Sequence, residues 1–375
     1  MDVQPENDLS RLFGQFALEN IASRPGLSLS ADFPTDLWDQ MTSAGLLGVG
    51  IDPKYGGMGG GAVQIQDAGR ALVFKGHCLG LALSWLIHCA AARYVVARLG
   101  NAEQKERLLP LMAKGGVTAS IAMSEPGVGA HPKRLSTRAI TVPGGYEILG
   151  KKAYLTNGPI AGLFIVVAVT GEKSGKKEFS AFIVPRDSPG LSVEEAMHLN
   201  MLRPAPHCGI ILDKAKVPSG SLLGLQGEAW NQIVKPFRTV EDVLLMGPVM
   251  GGLEALARGL GAFIRENGAP DPDKAAEDFG RFVSMIQALC AVAAKAAELL
   301  DEKVDENALD SLCVAFRAMA AEAMMLLERI KGESGANYGD RLKILASDMA
   351  ASSKIAANVT NMKRKKLGRL FLSEL

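Results

Sequence analysis

The chain has 375 residues, 48% of them hydrophobic and 22% charged, enough apolar material for a large core divided among two or three domains. Lys and Arg number 41 against 40 Asp and Glu, so bulk charge points to no nucleic acid, acidic partner or membrane surface. The five cysteines (Cys78, Cys89, Cys208, Cys290 and Cys313) are odd in number, widely spaced and set in apolar segments, which excludes a visible disulfide framework or metal cluster and reads as a reducing compartment. The segment Met1 to Asp8 carries acids where a signal peptide would carry positive charge, and no run of roughly 18 uninterrupted apolar residues follows. The expectation is a soluble, cytoplasmic protein.

From Asn7 to about Lys114, apolar residues return every three to four positions in Leu9–Arg24, Thr35–Leu47, Ala62–Phe74, Leu79–Leu99 and Ala102–Met112, which predicts helices. The glycine-rich stretch from Tyr55 to Gly61 has no preceding strand and lacks the GxGxxG spacing, so it reads as a turn and not a phosphate loop. At Val117 the texture changes. Strand-like runs at Thr118–Met123, Ser136–Val142, Tyr146–Leu149, Leu163–Val169, Ser180–Val184 and Gly209–Leu212 alternate with turns such as Pro143-Gly144-Gly145 and Ser188-Pro189-Gly190. The helical period returns near Gly224 and persists through Trp230–Ile264, Ala275–Leu300, Glu306–Ile330 and Arg341–Leu372. The predicted fold class is α+β with three domains: an N-terminal α-helical domain (1–115), a middle antiparallel β-barrel (116–223) and a C-terminal four-helix bundle (224–375). A basic cluster, Lys363, Arg364, Lys365, Lys366 and Arg369, is expected on the solvated face of the last helix.

The motifs carry a more specific resemblance. Ala122-Met123-Ser124-Glu125-Pro126-Gly127-Val128-Gly129-Ala130 is similar to the T-E-P-G-A-G-S-D segment of acyl-CoA dehydrogenases. Gly150-Lys151-Lys152-Ala153-Tyr154-Leu155-Thr156-Asn157-Gly158 resembles that family's G-x-K-x-W-I-T-N-G strand. The order and spacing of these two, with Asp52 to Gly59, Gly100 to Lys105, Phe182-Ile183-Val184-Pro185 and Val217-Pro218, extend the likeness nearly end to end. The resemblance implies the acyl-CoA dehydrogenase fold, an FAD held through Met123, Ser124, Tyr154 and Thr156, and an acyl-CoA substrate passing near Ala130, Val240 and Leu244. It also implies electron-transfer flavoprotein as acceptor and a homotetramer or homodimer. An isoalloxazine needs a flat apolar or aromatic wall and a few polar groups at its edge, and Tyr154, Thr156 and Ser124 are of those types.

Dehydrogenation of an acyl thioester requires a carboxylate to remove the proton beside the carbonyl. Where most members carry that Glu near the C-terminus, this chain aligns Ala356 or Ala357. The isovaleryl-CoA and long-chain types place it instead on the first long helix of the C-terminal domain, and counting back ten residues from Gly251 reaches Glu241. Glu241 is therefore the expected base, and its alternative role is a helix-start carboxylate facing solvent or paired with Arg238. Asp242 stands where an arginine is usual. Acids in Ala275-Ala276-Glu277-Asp278-Phe279-Gly280 occupy a stretch that resembles the family's flavin-pyrophosphate arginine site, and Lys331-Gly332-Glu333-Ser334-Gly335 replaces a glycine-paired loop. Ala130 replaces a Ser, and His131 beside it reads as an exposed loop residue. Three functions remain open: an FAD-dependent acyl-CoA dehydrogenase using Glu241, a non-catalytic or hetero-oligomeric partner member, and a flavin monooxygenase or oxidase on the same fold.

Overall fold

The structure is a computed structural model that describes residues 7–302 and 305–373, so most of the acidic segment Met1 to Asp8 lies outside the described residues. The N-terminal region comprises α1 (Asp8–Phe16), α2 (Thr35–Ser43), α3 (Ala62–Gly76), α4 (Leu79–Ala90), α5 (Ala97–Leu99) and α6 (Ala102–Ala113). Local chemistry sets these limits. Asn7 caps α1 by accepting the Ser10 amide at 2.8 Å, and Asn101 and Gln104 cap α6 reciprocally at 2.8 and 3.0 Å. The continuous helical rod Leu79–Leu99 is apolar enough to cross a membrane by composition, with mean hydropathy 1.5, yet 89% of its apolar window is buried inside the fold. Its all-round hydrophobicity is that of a helix surrounded by protein. The glycine-rich stretch is a packed turn: a side chain at Gly57 would lie 2.2 Å from the Ile51 carbonyl oxygen.

The middle region carries β1 (Ala119–Ala122), β2 (Arg138–Val142), β3 (Gly145–Thr156), β4 (Leu163–Lys173), β5 (Lys176–Pro185), β6 (Leu191–Val193), β7 (His207–Pro218) and β8 (Leu222–Leu223). The sheet runs in the order β6-β7-β3-β2-β4-β5-β8, with β1 beside β4. Most pairings are antiparallel as expected, whereas β4 receives β1 and the end of β2 in parallel, with intervening chain supplying the crossovers. The two-residue period of the strands divides their side chains between two cores. Phe164, Val166, Ala168, Phe182 and Val184 fill the interior of the β domain, while Leu163, Ile165, Val167, Ala181 and Ile183 face outward onto the helices.

The C-terminal region comprises α7 (Lys235–Leu244), α8 (Met246–Asn267), α9 (Pro272–Glu302), α10 (Glu306–Ser334), α11 (Asp340–Lys354) and α12 (Ala357–Ser373). Helices α8 to α11 pack together as a bundle, and α3 lies along α8. The helix expected over Arg341–Leu372 breaks at Ile355-Ala356, where Ala356 adopts φ 57° and Arg317 donates to the Ile355 carbonyl at 3.1 Å. The basic cluster divides. Arg364, Lys365, Lys366 and Arg369 are exposed as expected, but the Lys363 side chain is only 11% exposed and pairs with Asp242 at 3.4 Å and Asp310 at 3.0 Å.

One buried ion pair fixes the two motif segments to each other. Lys152 Nζ donates to the Met123 carbonyl at 3.0 Å and to Glu125 at 3.1 Å, and Glu125 also accepts from the Ser136 and Thr137 amides and the Ser136 hydroxyl. Burial opposes the charge on both groups. For Glu125 the Lys152 charge and these hydrogen bonds prevail and hold its pKa down to about 2, while desolvation brings Lys152 down to about 8. Removing one partner leaves the other charge buried. Glu125→Gln and Lys152→Met are each expected to cost about 3–5 kcal/mol in urea unfolding, and the double variant less than the sum; strictly additive losses would show that the two groups are not coupled.

Candidate functional site

The motif residues converge at one end of β3. The Ala153 amide donates to the Ser124 carbonyl at 3.0 Å, and the Ser120 hydroxyl donates to the Thr156 carbonyl at 2.7 Å. A register shift between Lys152 and Leu155 interrupts the pairing of β3 with β7 at this point. Within it Tyr154 takes φ 61° and is 58% exposed. A non-glycine residue in the left-handed region carries strain of order 1 kcal/mol, and here that conformation turns an aromatic face outward. Met123 is half-buried against the helical core, and Thr156 is half-buried. Thr156 stands directly across from His207 in the β3–β7 register, with its hydroxyl 3.0 Å from Nε2. Thus Met123, Ser124, Tyr154 and Thr156 are brought together as the sequence motifs imply. The chemistry suits a flavin ring: a flat exposed aromatic surface, two hydroxyl residues beside it, and the adjacent Glu125 carboxylate already neutralised by Lys152.

Helix α7 carries the second group. Glu241 is 28% exposed in its side chain and contacts Arg238 at 3.2 Å. Burial raises its pKa, the Arg238 guanidinium pulls it back, and the Asp242 charge adds to the rise. The alternative of an Arg238 pair is therefore present, in a carboxylate whose ionisation burial opposes. Asp242 is buried among Arg238, Arg317 at 2.8 Å and Lys363, so the acid that replaces the usual arginine has its own cations. Burial opposes its ionisation, but these three cations keep its pKa low.

Two cavities flank α7. The larger, about 1030 Å³, has apolar walls from Val95, Ile233, Phe237, Val240, Leu309 and Met362. Its cations include Arg98, Lys235, Arg238, Lys363, Lys366 and Arg369. The smaller, about 370 Å³, is lined by Asp242, Leu245, Val249, Phe316, Arg317 and Ala357. Ala357, one of the two alanines aligned with the usual position of the base, therefore faces a cavity beside α7. Val240 lines the larger cavity. Leu244 does not: it is fully enclosed in the helical core, one turn or about 5.4 Å deeper along α7. Ala130 packs from the β1–β2 connection against the helical core and lines neither cavity.

The buried acid of the acidic stretch is also compensated. Asp278 is buried and pairs with Lys274 at 3.3 Å and Arg329 at 2.5 Å, so it presents no naked carboxylate. His131 is exposed. Two titratable residues lay outside the sequence reading: His207, signalled only by the preceding Pro204-Ala205-Pro206, and Asp348, which has no local signature.

Asp348 is 4% exposed; one carboxylate oxygen accepts the Leu202 amide at 2.7 Å, and the other has no hydrogen-bond partner. Burial raises its pKa to about 6 against the opposing pull of that amide. A raised folded-state pKa means that the folded chain binds the proton more tightly than the unfolded chain. The associated stability is present below about pH 4 and is lost as pH rises through about 6. Asp348→Asn, neutral throughout, is expected to match the wild type near pH 4 and exceed it by roughly 1–3 kcal/mol at pH 7.5 in chemical denaturation. A difference independent of pH would contradict this.

Comparison with known proteins agrees with this layout. The family profile "Acyl-CoA dehydrogenase, N-terminal domain" matches residues 6–116 and "Acyl-CoA dehydrogenase, middle domain" matches residues 120–215, together more than half of the chain. Acryloyl-CoA reductase (NADH) of Anaerotignum propionicum is 30% identical over 224 residues, 59% of this chain and 56% of that protein. Mitochondrial isovaleryl-CoA dehydrogenase of Solanum tuberosum is 31% identical over 242 residues, 63% of this chain and 57% of that protein. These matches thus span little more than half the length of either relative. Among solved structures, the FAD complex of PigA superposes with a TM-score of 0.84 at 22% identity, covering 99% of both chains, a likeness of fold. With its motifs, its three-region architecture and both profiles in agreement, the chain belongs to the acyl-CoA dehydrogenase family.

Proposed function

We propose that this protein catalyses the FAD-dependent α,β-dehydrogenation of an acyl-CoA thioester with Glu241 as the base. The observation that carries the reading is the placement of Glu241: a part-enclosed carboxylate that lines neither cavity itself but contacts Arg238, a wall residue of the cavity of about 1030 Å³, and whose pKa burial raises. That cavity combines apolar walls with a cationic rim, the chemistry required by an acyl chain attached to a phosphorylated carrier.

Bound FAD supplies the hydride acceptor. Tyr154 offers it a flat wall, and Ser124 and Thr156 offer polar groups at the ring edge. Glu241 takes the proton from the carbon beside the thioester carbonyl and becomes the carboxylic acid. Its surroundings serve that exchange: burial makes the carboxylate a stronger base, and Arg238 keeps it ionised before reaction. Asp242 anchors Arg238, so the guanidinium position is set by the helix one turn on. Electron-transfer flavoprotein is the proposed acceptor of the electrons. A homo-oligomer is proposed from the apolar residues left exposed on α12 and α10, among them Met362, Phe371 and Met325.

A second reading, a non-catalytic partner member, draws on Asp278 and Glu277 standing in the stretch that resembles the family's cationic site. The two readings separate on the purified chain. Dehydrogenase function predicts a yellow protein with flavin in stoichiometric amount that bleaches on adding its acyl-CoA. Glu241→Gln is expected to retain the colour and lose at least 100-fold in the rate of bleaching, on the order of a missing general base. A colourless chain would favour the partner reading, and an unchanged rate in the variant would remove Glu241 from the mechanism.

A further inference from the structure

His207 is the one buried imidazole on the β-domain side of the site, and its hydrogen bonds have a fixed direction. Its Nδ1 lies 3.0 Å from the Ala205 carbonyl oxygen and its Nε2 lies 3.0 Å from the Thr156 hydroxyl. A carbonyl oxygen can only accept, so Nδ1 carries the proton. Burial, opposed only by the Ala205 carbonyl, lowers the pKa of His207, which keeps the ring neutral and leaves Nε2 as a lone pair. The Thr156 hydroxyl must then donate to Nε2. Its own proton is committed, and what remains on its outer side is acceptor capacity.

The geometry is held by the backbone. Thr156 and His207 are directly opposite in the β3–β7 register, the Asn157 amide donates to the Pro206 carbonyl at 2.8 Å, and the Met197 amide donates to the His207 carbonyl at 2.7 Å. The Ser120 hydroxyl holds the Thr156 carbonyl at 2.7 Å. The imidazole can neither swing away nor exchange its tautomer without losing the Ala205 bond.

We propose that His207 is a positioning residue that makes Thr156 an obligate hydrogen-bond acceptor, so that this edge of the site favours a reduced flavin over an oxidised one. The proposal rests on the flavin reading above. A flavin ring gains N–H donors on two-electron reduction at nitrogens that are acceptors when oxidised. Against a bound flavin, an acceptor-only hydroxyl would pair with the reduced edge and would meet the oxidised edge lone pair against lone pair. A hydroxyl freed from His207 would rotate and donate to the oxidised ring, and the preference would disappear.

The first test uses the chain without any cofactor. In imidazole ¹⁵N spectra, the signal removed by His207→Gln is expected to show protonated Nδ1 and unprotonated Nε2 at neutral pH; the opposite tautomer overturns the proposal. The second uses the flavin-loaded protein in equilibrium with a reference dye. His207→Leu is expected to shift the oxidised-to-reduced ratio at fixed potential roughly fivefold toward the oxidised form, the scale of one net hydrogen bond. His207→Gln, whose side-chain oxygen can accept in place of Nε2, is expected to keep the wild-type ratio. In a Thr156→Val background, His207→Leu is expected to have no further effect. An unchanged ratio in His207→Leu, or a shift that persists without Thr156, overturns the proposal while leaving the flavin reading intact. A wild-type chain that takes up no flavin overturns both, and the tautomer result then stands as a structural fact alone.

Discussion

The carboxylate of Asp242 is the point on which the helical half of the site depends. It is buried and shared by Arg238 from its own helix, Arg317 from α10 and Lys363 from α12. Each of these cations would be costly to enclose alone, and together with Asp310 they make an ionic junction that closes three helices on one another. Arg238 is oriented by that junction, and through it Glu241 is oriented too. The family's usual arginine at this position would have left a different balance of charge. Here the acid and the cations opposite it form a set whose members are intelligible only together.

The β-domain half is organised by the Glu125–Lys152 pair in the same way. The charges are deeply buried, the hydrogen-bonding capacity of Glu125 is spent on Ser136, Thr137 and Lys152, and the Met123 carbonyl is tied to the same ammonium group. Such a pair contributes less to net stability than to fixing one arrangement of its segments. It fixes the 123–125 segment against β3 just before the irregularity that exposes Tyr154. The strained backbone at Tyr154 is held between a rigid pair on one side and the Thr156–His207 crossing on the other.

The departures from family pattern acquire a common explanation. An acid at Asp242, an acid at Asp278 and an alanine at Ala357 each suggest a weakened site when read along the chain. In three dimensions Asp242 and Asp278 both have cationic partners, and Ala357 faces a cavity beside the helix that bears Glu241. Whether a carboxylate serves this chemistry is set by its position relative to the substrate and not by its order along the chain, so the loss of an acid at one helix does not by itself remove the function.

The sequence by itself determined the three regions, because alternation with a period of two and recurrence with a period near 3.6 are imposed by the backbone and survive without tertiary contacts. It also marked the segments that carry Met123, Ser124, Tyr154 and Thr156, whose motifs are local and which the structure joins through the Ala153–Ser124 and Lys152–Met123 hydrogen bonds. It misjudged Leu244, which lies one helical turn too deep, and Lys363, whose basic neighbours disguised a buried ion. It gave no sign of Asp348 or of the hydrogen-bond direction at Thr156. Only the tertiary structure decided these, because burial and charge pairing arise between residues as far apart as Asp242 and Lys363, or Leu202 and Asp348, whose proximity no local pattern encodes.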